Sequence, residues 1–388
     1  MRDPRSGRAV LGTAMLLMLA CAGDEAAAQA SRRAPQAIRV TVGGYMEQSF
    51  GYARNQRGVR VSEARQTGFV PVVIAEPNRF AQQSDSEIWF SGRTTLSNGL
   101  QLGFVVQLEG NTQYGDQIDE SYLFAQGVFG RILLGAENDA AYLQHVSAPR
   151  AGATWGVLES PVTGWVHAPR FVSMLTTTAP VSTGDDQKLT WFTPRWSGVQ
   201  LGGSFTPNDR QDARGVSDRL RERTNVVTGS GNGRWSWGEC ALAVSAGWVH
   251  AGGIANAALT ADRRHPLDDA AIGAELRWRG VALGAGFRRL VNKGGPLDGR
   301  ALAVGVAGTH GATSLAAGFL TSRVAGTPAT PGQDRGALAV ISASHQLAPG
   351  IALVGSGFVA RYDNGRSRFG AEDRNRGAGL VGGLRLSF

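Results

Sequence analysis

Apolar and polar side chains alternate along most of this chain with a period of two, the period of a strand with two unlike faces. At the end of the sequence Phe388, Leu386, Leu384 and Leu380 share one face, and Ser387, Arg385 and Gly383 share the other. Near the start Val40, Val42 and Met46 oppose Arg39, Tyr45 and Glu47. Ile88, Phe90, Thr94 and Leu96 oppose Trp89, Ser91 and Arg93, and the next segment sets Leu100, Leu102, Phe104, Val106 and Leu108 against Gln101, Gln107 and Glu109. Ile132 and Leu134 leave Arg131 and Glu137 on the other side; Ile272, Leu276 and Trp278 do the same for Glu275, Arg277 and Arg279. This pattern predicts an all-β, antiparallel transmembrane barrel whose apolar face meets lipid and whose polar face lines a lumen. A charge on the lipid face near mid-membrane costs ~2–4 kcal/mol, so the phase that turns every one of these charges inward is favoured.

Turns divide the pattern into strands. Asn98-Gly99, Gly130-Arg131, Ser197-Gly198, Gly238-Glu239, Arg279-Gly280, Gly311-Ala312 and Pro349-Gly350 are tight-turn pairs. They join fourteen strands, and a first strand over 38–52 and a last over 375–388 bring the expected number to sixteen. Polar connections over 53–85, 113–119, 138–187, 208–223, 252–269, 291–299, 324–335 and 363–375 alternate with the tight turns. A turn glycine, a leucine and an aromatic recur, as in Gly198 to Phe205 and Gly280 to Phe287, with leucine and ring on one face. In Gly350 to Phe358 the spacing is odd and requires a bulge or an inward ring. The repeat reads as an aromatic girdle; a solenoid or propeller would keep one period.

Both ends of the sequence fit export to a membrane. Arg2, Arg5 and Arg8 precede an apolar run over 9–22 and a small-residue site before Ser31, which reads as a cleaved signal peptide over 1–30 and a barrel over 31–388. Met18-Leu-Ala-Cys21 leaves lipoprotein acylation as an alternative reading. If Cys21 leaves with the leader, the remaining Cys240 forms no internal disulfide. The glycine, apolar and terminal aromatic positions Gly383, Leu386 and Phe388 resemble the C-terminal signal read by the barrel-assembly machinery. The chain has 54 glycines and only 18 % charged residues, values that fit two-faced strands rather than a disordered or helical-membrane protein. Its net charge of +8 is unchanged by removal of residues 1–30.

The connection over 138–187 is long and carries Trp155, Val157, Leu158, Trp165, Phe171, Met174 and Leu175. Apolar side chains in such number need a surface to pack on, and the inner wall is the nearest.

The segments Ser86 to Leu100, Asp119 to Phe124, Phe129 to Gly135 and Lys188 to Arg195 resemble general diffusion porins of Gram-negative bacteria, of the alphaproteobacterial type. The resemblance implies a sixteen-stranded barrel, a homotrimer, surroundings of outer-membrane lipid and lipopolysaccharide, and a third loop that constricts the lumen opposite basic wall residues. On that reading the basic wall is Arg39, Arg93, Arg131, Arg277, Arg279 and Arg385. The constriction loop opposes it with Asp139, Glu159, Asp185 and Asp186, and other lumen positions include Tyr45, Glu47, Trp89, Gln107, Glu109, Glu137 and Glu275. Small residues over Ala301 to Gly308 are expected on the outer face, where barrels could approach closely.

Catalytic and cofactor signals are poor. The six histidines are scattered, none at metal-ligand spacing with a cysteine or second histidine, so no catalytic, metal or cofactor site is expected. The export signal and the absence of a basic cluster interleaved with aromatics argue against nucleic acid. The expected function is passive diffusion of small hydrophilic solutes and ions through a water-filled channel, with weak anion preference from the arginine excess. A lipid hydrolase or an adhesive or structural barrel is the alternative.

Overall fold

In a computed structural model the described residues are 37–56, 59–61, 64–65, 68–69, 73–75, 78–110, 117–160, 162–169, 172–209, 222–254, 265–292, 297–326, 332–365 and 374–388. The expected leader over 1–30, with Cys21, lies outside them. The wall consists of β1 (Arg39–Arg54), β6 (Phe80–Thr95), β7 (Gln101–Glu109), β8 (Ile118–Gly127), β9 (Gly130–Ala136), β10 (Gln187–Phe192), β11 (Val199–Asn208), β12 (Thr224–Trp237), β13 (Cys240–Ala251), β14 (Leu267–Trp278), β15 (Val281–Val291), β16 (Gly299–His310), β17 (Thr313–Ala325), β18 (Gln333–Ala348), β19 (Ile351–Asn364) and β20 (Arg374–Ser387). These sixteen strands pair in sequence order and close through β1 and β20. Every neighbouring pair is antiparallel, as a single-chain membrane barrel requires to leave no open edge.

The seven tight turns occur, the second centred at Val128 and Phe129 rather than Gly130 and Arg131. Gly99 and Gly350 take φ of +84° and +76°, the left-handed region where a side chain would be strained. The eight long connections gather at the other end. The first contains two small hairpins that the pattern did not announce, β2 (Val59–Val61) with β5 (Val73–Ala75) and β3 (Ala64–Arg65) with β4 (Gly68–Phe69).

Register fixes the faces. Leu201, Phe205, Leu283, Leu315 and Phe319 point outward and are exposed, and Phe287 on the same face is half-buried, while Phe358, the odd-spaced ring, points inward and is buried. The expected outward patch over Ala301 to Gly308 is corrected by the structure. Its small residues Ala301 and Ala303 are buried inside, and Leu302, Val304 and Val306 occupy the outer face.

The interior is not all water. One apolar cluster joins Leu158, Trp165 and Val166 of the segment between β9 and β10 to Leu338, Val340, Phe358 and Tyr362 of the wall. A second joins Ala141 and Leu175 to Val226, Val249, Leu290, Ala301 and Val324.

At the closing seam the Phe388 N–H donates to Gly44 O at 3.0 Å and the Gly44 N–H to Phe388 O at 3.1 Å, with the Phe388 ring outside, over Gly44. Phe388→Ala keeps both backbone bonds and removes one lipid-facing ring among many. It should therefore lower outer-membrane yield severalfold yet leave the heat-modifiable gel mobility of inserted protein intact. Equal yield of the two proteins would remove the assembly role of this residue.

Candidate functional site: the lumen and its loop

An irregular segment inside a barrel needs partners for its backbone, and inward polar side chains supply them. After β9 the chain makes a single helical turn, α1 (Ala140–Leu143), capped by Asp139, which accepts from the amides of Ala141 at 2.9 Å and Tyr142 at 3.0 Å. From there it follows the inner wall. Ala140 N–H donates to Ser204 Oγ of β11 at 2.9 Å, Ser230 Oγ of β12 donates to Gln144 Oε1 at 2.8 Å, and Val146 N–H donates to Ser245 Oγ of β13 at 2.8 Å. Farther along, Thr154 N–H donates to Glu47 of β1 at 2.8 Å, Ser173 N–H to Asp334 of β18 at 2.7 Å and Leu175 N–H to Ser322 of β17 at 2.9 Å. Asn55 and Asn375 hold His167, and Ser182 Oγ donates to Asp269 of β14 at 2.5 Å.

Glycines in the wall make room for this path. A Cβ added at Gly273 would lie 1.6 Å from Val146 O; at Gly51 and Gly318 it would meet the Trp165 ring at 2.6 Å and Leu158 at 2.6 Å. Of the apolar loop residues singled out in the sequence, Val157, Leu158, Trp165 and Leu175 are buried here and Met174 is partly buried; Phe171 lies outside the described residues.

The charged groups do not form the expected basic wall opposite an acidic loop. Arg39 and Arg93 are direct partners across β1 and β6, at the short-turn end. Arg131, at the same end of β9, lies 5.2 Å over the Phe124 ring, and Arg277 bonds Glu275 at 2.5 Å. Arg279 is corrected to a rim position. It occupies the turn after β14, 5.1 Å over the outward Trp278 ring, with Nε donating to Glu239 of the preceding turn at 2.5 Å. Only Arg385 sits among the loop contacts: its Nη2 donates to Thr154 Oγ1 at 2.6 Å, its Nε lies 3.2 Å from Glu47, and its guanidinium lies 4.9 Å over the Tyr45 ring.

The loop acids are spent on the loop's own structure. Asp139 is buried, caps α1 and accepts from Thr183 Oγ1 at 2.8 Å. Glu159 accepts from the Thr178 amide at 2.6 Å, and Asp185 from Asn138 at 2.8 Å. Burial raises the carboxyl pKa of Asp139, and that of Asp186 to about 7, with Lys188 partly opposing the shift at Asp186.

Carboxylates gather instead on the wall of β6 to β9, which the loop touches through Gln83, bonded to Gly164 O at 3.3 Å, through Ala140, packed on Leu133, and through Asp185 beside Glu120. Glu87 accepts from Tyr45 Oη at 3.0 Å, Trp89 Nε1 at 3.2 Å and Gln107 Nε2 at 2.9 Å. Asp85 shares Tyr45 Oη at 3.1 Å, and Asp119 accepts from Gln107 at 3.2 Å. The carboxylate oxygens of Glu87, Glu109 and Asp119 lie within 4.8 Å of one another, as do those of Glu120, Glu137 and Asp185. Oxygen sets of this type suit a hard cation; here neutral donors from Tyr45, Trp89 and Gln107 surround the first set. Asp85, Glu87, Asp119 and Glu120 were not singled out in the sequence, although the alternation through Trp89 reaches the first two and that through Tyr122 reaches Glu120. On the opposite side a cavity of about 1150 Å³ is lined by the loop residues Tyr142, His145 and Arg150 and by Arg234, Glu275 and Arg277.

Residues 12–367 match the family model described as Gram-negative porin. The chain belongs to the Gram-negative porin family. It is therefore a non-enzymatic diffusion channel of the outer membrane. Among solved structures, an anion-selective porin from Comamonas acidovorans is similar at 13 % identity and TM-score 0.57, over 91 % of this chain and all of that one. The outer-membrane channel DcaP of Acinetobacter baumannii is similar at 12 % and 0.57, over 93 % and 100 %. OmpT of Vibrio cholerae in its trimer form is similar at 11 % and 0.55, over 91 % and 100 %. At these identities the likeness shows the fold alone. No protein with a curated function matches this porin in sequence. Its short turns mark the periplasmic end and its long connections the outer surface.

Proposed function

We propose that this porin passes small hydrophilic solutes and ions through the space between the loop over 138–187 and the carboxylate-lined wall of β6 to β8, and that it prefers cations. The observation that carries the reading is the carboxylate set Glu87, Glu109, Asp119 and Glu120 gathered on β6 to β8, across the barrel from the loop's Arg150 against β12 to β16. The expected weak anion preference rested on Arg39, Arg93, Arg131, Arg277, Arg279 and Arg385. The first five lie toward the periplasmic end, where salt screening reduces their reach. The Comamonas porin is named anion-selective, and a shared fold does not fix that sign.

Residues 31–388 are the exported unit on this reading, and the working assembly is a homotrimer in contact with outer-membrane lipid and lipopolysaccharide. Support for the trimer comes from the low wall. Strands β7, β9 and β10 have only 9, 7 and 6 residues, and the outer face of this wall carries the exposed Leu102, Leu123 and Leu134, which a neighbouring barrel would cover. Insertion of purified protein into planar bilayers tests the channel itself. Large, ohmic, long-lived steps arriving in threes are expected, and bilayers that stay silent with folded protein present would overturn the proposal.

A further inference from the structure

The outer face of the barrel is not uniform around its circumference. On β15 to β20 the apolar outward run of each strand ends, at the long-loop end, in an arginine: Arg289, Arg300, Arg323, Arg335, Arg361 and Arg376. Their register makes them direct neighbours, Arg289 with Arg300, Arg300 with Arg323, Arg323 with Arg335 and Arg361 with Arg376. The inward residues between them are covered by the loop: Ala301, Ser322 and Tyr362 are buried, and Gly336 faces Met174. Below the row lie Leu302, Val304 and Val306 on β16 and Leu380, Leu384 and Leu386 on β20, all exposed to the bilayer side. The outward positions of β6 to β14 contain no arginine.

Like charges set directly opposite one another across strands destabilise a sheet. Four such pairs in one row are therefore unfavourable unless an anion lies over them. Acidic neighbours relieve only the ends: Asp298 is 3.0 Å from Arg289, and Asp363 is 3.3 Å from Arg361 and 3.4 Å from Arg374. Among the described residues no carboxylate forms an ion pair with the central Arg300, Arg323 or Arg335, and only Arg335 has an acid, Asp363, directly opposite it across strands. A groove of about 220 Å³ opens at this point, lined by Thr321, Arg323, Arg335, Arg361 and Asp363. Its room is that of roughly seven waters at about 30 Å³ each.

We propose that this row is a docking surface for the phosphorylated head group of an outer-leaflet glycolipid of the lipid A type, held directly by guanidinium groups. Height selects a lipid over a soluble anion, because the arginines stand at the upper border of the apolar band with acyl-compatible side chains below them. Charge selects phosphate: the planar guanidinium fork binds it through paired N–H donors, and successive arginines across adjacent strands offer several forks to one head group. The direct contact also separates this surface from one in which acidic side chains hold the lipid through a divalent cation. The arc is specific as well, since it lies away from the low wall of β7 to β10 that the trimer reading assigns to neighbouring subunits. The inference rests on the outer-membrane location and is independent of the channel's selectivity.

The test uses the full-length folded protein in detergent, incubated with bisphosphorylated lipid A or with dephosphorylated lipid A, and lipid retained per chain is counted by native mass spectrometry. The parent should retain the phosphorylated lipid at least tenfold more than the dephosphorylated one, and EDTA should not strip it. The triple variant Arg300→Gln, Arg323→Gln, Arg335→Gln should lose at least tenfold in retention, with the triple lysine variant losing much less. Equal retention of the two lipids by the parent, loss of lipid to EDTA, or full retention by the glutamine variant would each overturn the proposal. The two parent measurements decide it even if the variants fail to fold.

Discussion

Removing residues 151–178 should raise the single-channel conductance severalfold while the barrel remains inserted. The sixteen strands are hydrogen-bonded on both sides without any contribution from this segment, so the wall closes without it. What the segment fills is the interior. Its Leu158, Trp165 and Val166 lie on Leu338, Val340 and Phe358, its amides are tied to Glu47, Asp334 and Ser322, and Gly51 and Gly318 approach it too closely for any side chain. Conductance follows the narrowest section of a pore, and deletion takes matter from that section rather than from either mouth. Stability should fall at the same time, because the deletion exposes an apolar bed at about 25 cal/mol per Å² of area returned to water. A lower thermal transition with a larger conductance is the expected pair of results in gel-shift and bilayer measurements. An unchanged conductance would place the current path away from the loop.

The strand plan of this barrel could be read from alternation and turn chemistry because both are local. Asn98-Gly99 and Pro349-Gly350 mark reversals whatever surrounds them, and the face of Trp89 follows from that of Ile88. The long loop was legible for a related reason: Trp165 and Leu158 cannot remain in water, and the lumen is the surface within reach. Height was not legible. Arg39 and Arg93 each read as inward, but only the pairing of β1 with β6 shows that they meet at the periplasmic end. Nor can an alternating pattern say whether a small inward residue faces water or another segment. Ala301 and Ala303 looked like an outer surface for a neighbouring barrel, and they are buried instead, Ala301 in the cluster of Leu175 and Ala303 in that of Leu158. In β6 the polar residues Gln82, Ser84 and Ser86 on the outer face blurred the alternation just where Asp85 and Glu87 continue the lumen side. The outward arginines on β15 to β20 were hidden in the same way, because each ends a strand beside a polar connection, and only the register lines them up.

In a tenfold salt gradient at pH 8 and low ionic strength, the reversal potential of this porin should show cation preference. Glu109→Gln with Glu120→Gln should move it most of the way toward an unselective value. Both residues lie on the lumen side of β7 and β8, and both join carboxylate sets whose oxygens lie within 4.8 Å of one another. Neutral isosteres remove charge there with little change in pore width. Arg93→Ala should have a much smaller effect, since Arg93 stands beside Arg39 at the periplasmic end of the barrel. Glu159→Gln should also matter little to selectivity, because that carboxylate is committed to the Thr178 amide at 2.6 Å within the loop. Charges along a water-filled path act only over a Debye length, about 10 Å at 0.1 M salt and roughly 3 Å at 1 M, so the preference should fade as both solutions are made more concentrated. A parent channel that prefers anions at low salt would show that the loop's Arg150, together with Arg385 over the Tyr45 ring beside Glu87, outweighs the carboxylates. In that case the double glutamine variant should strengthen the anion preference instead of abolishing a cation one.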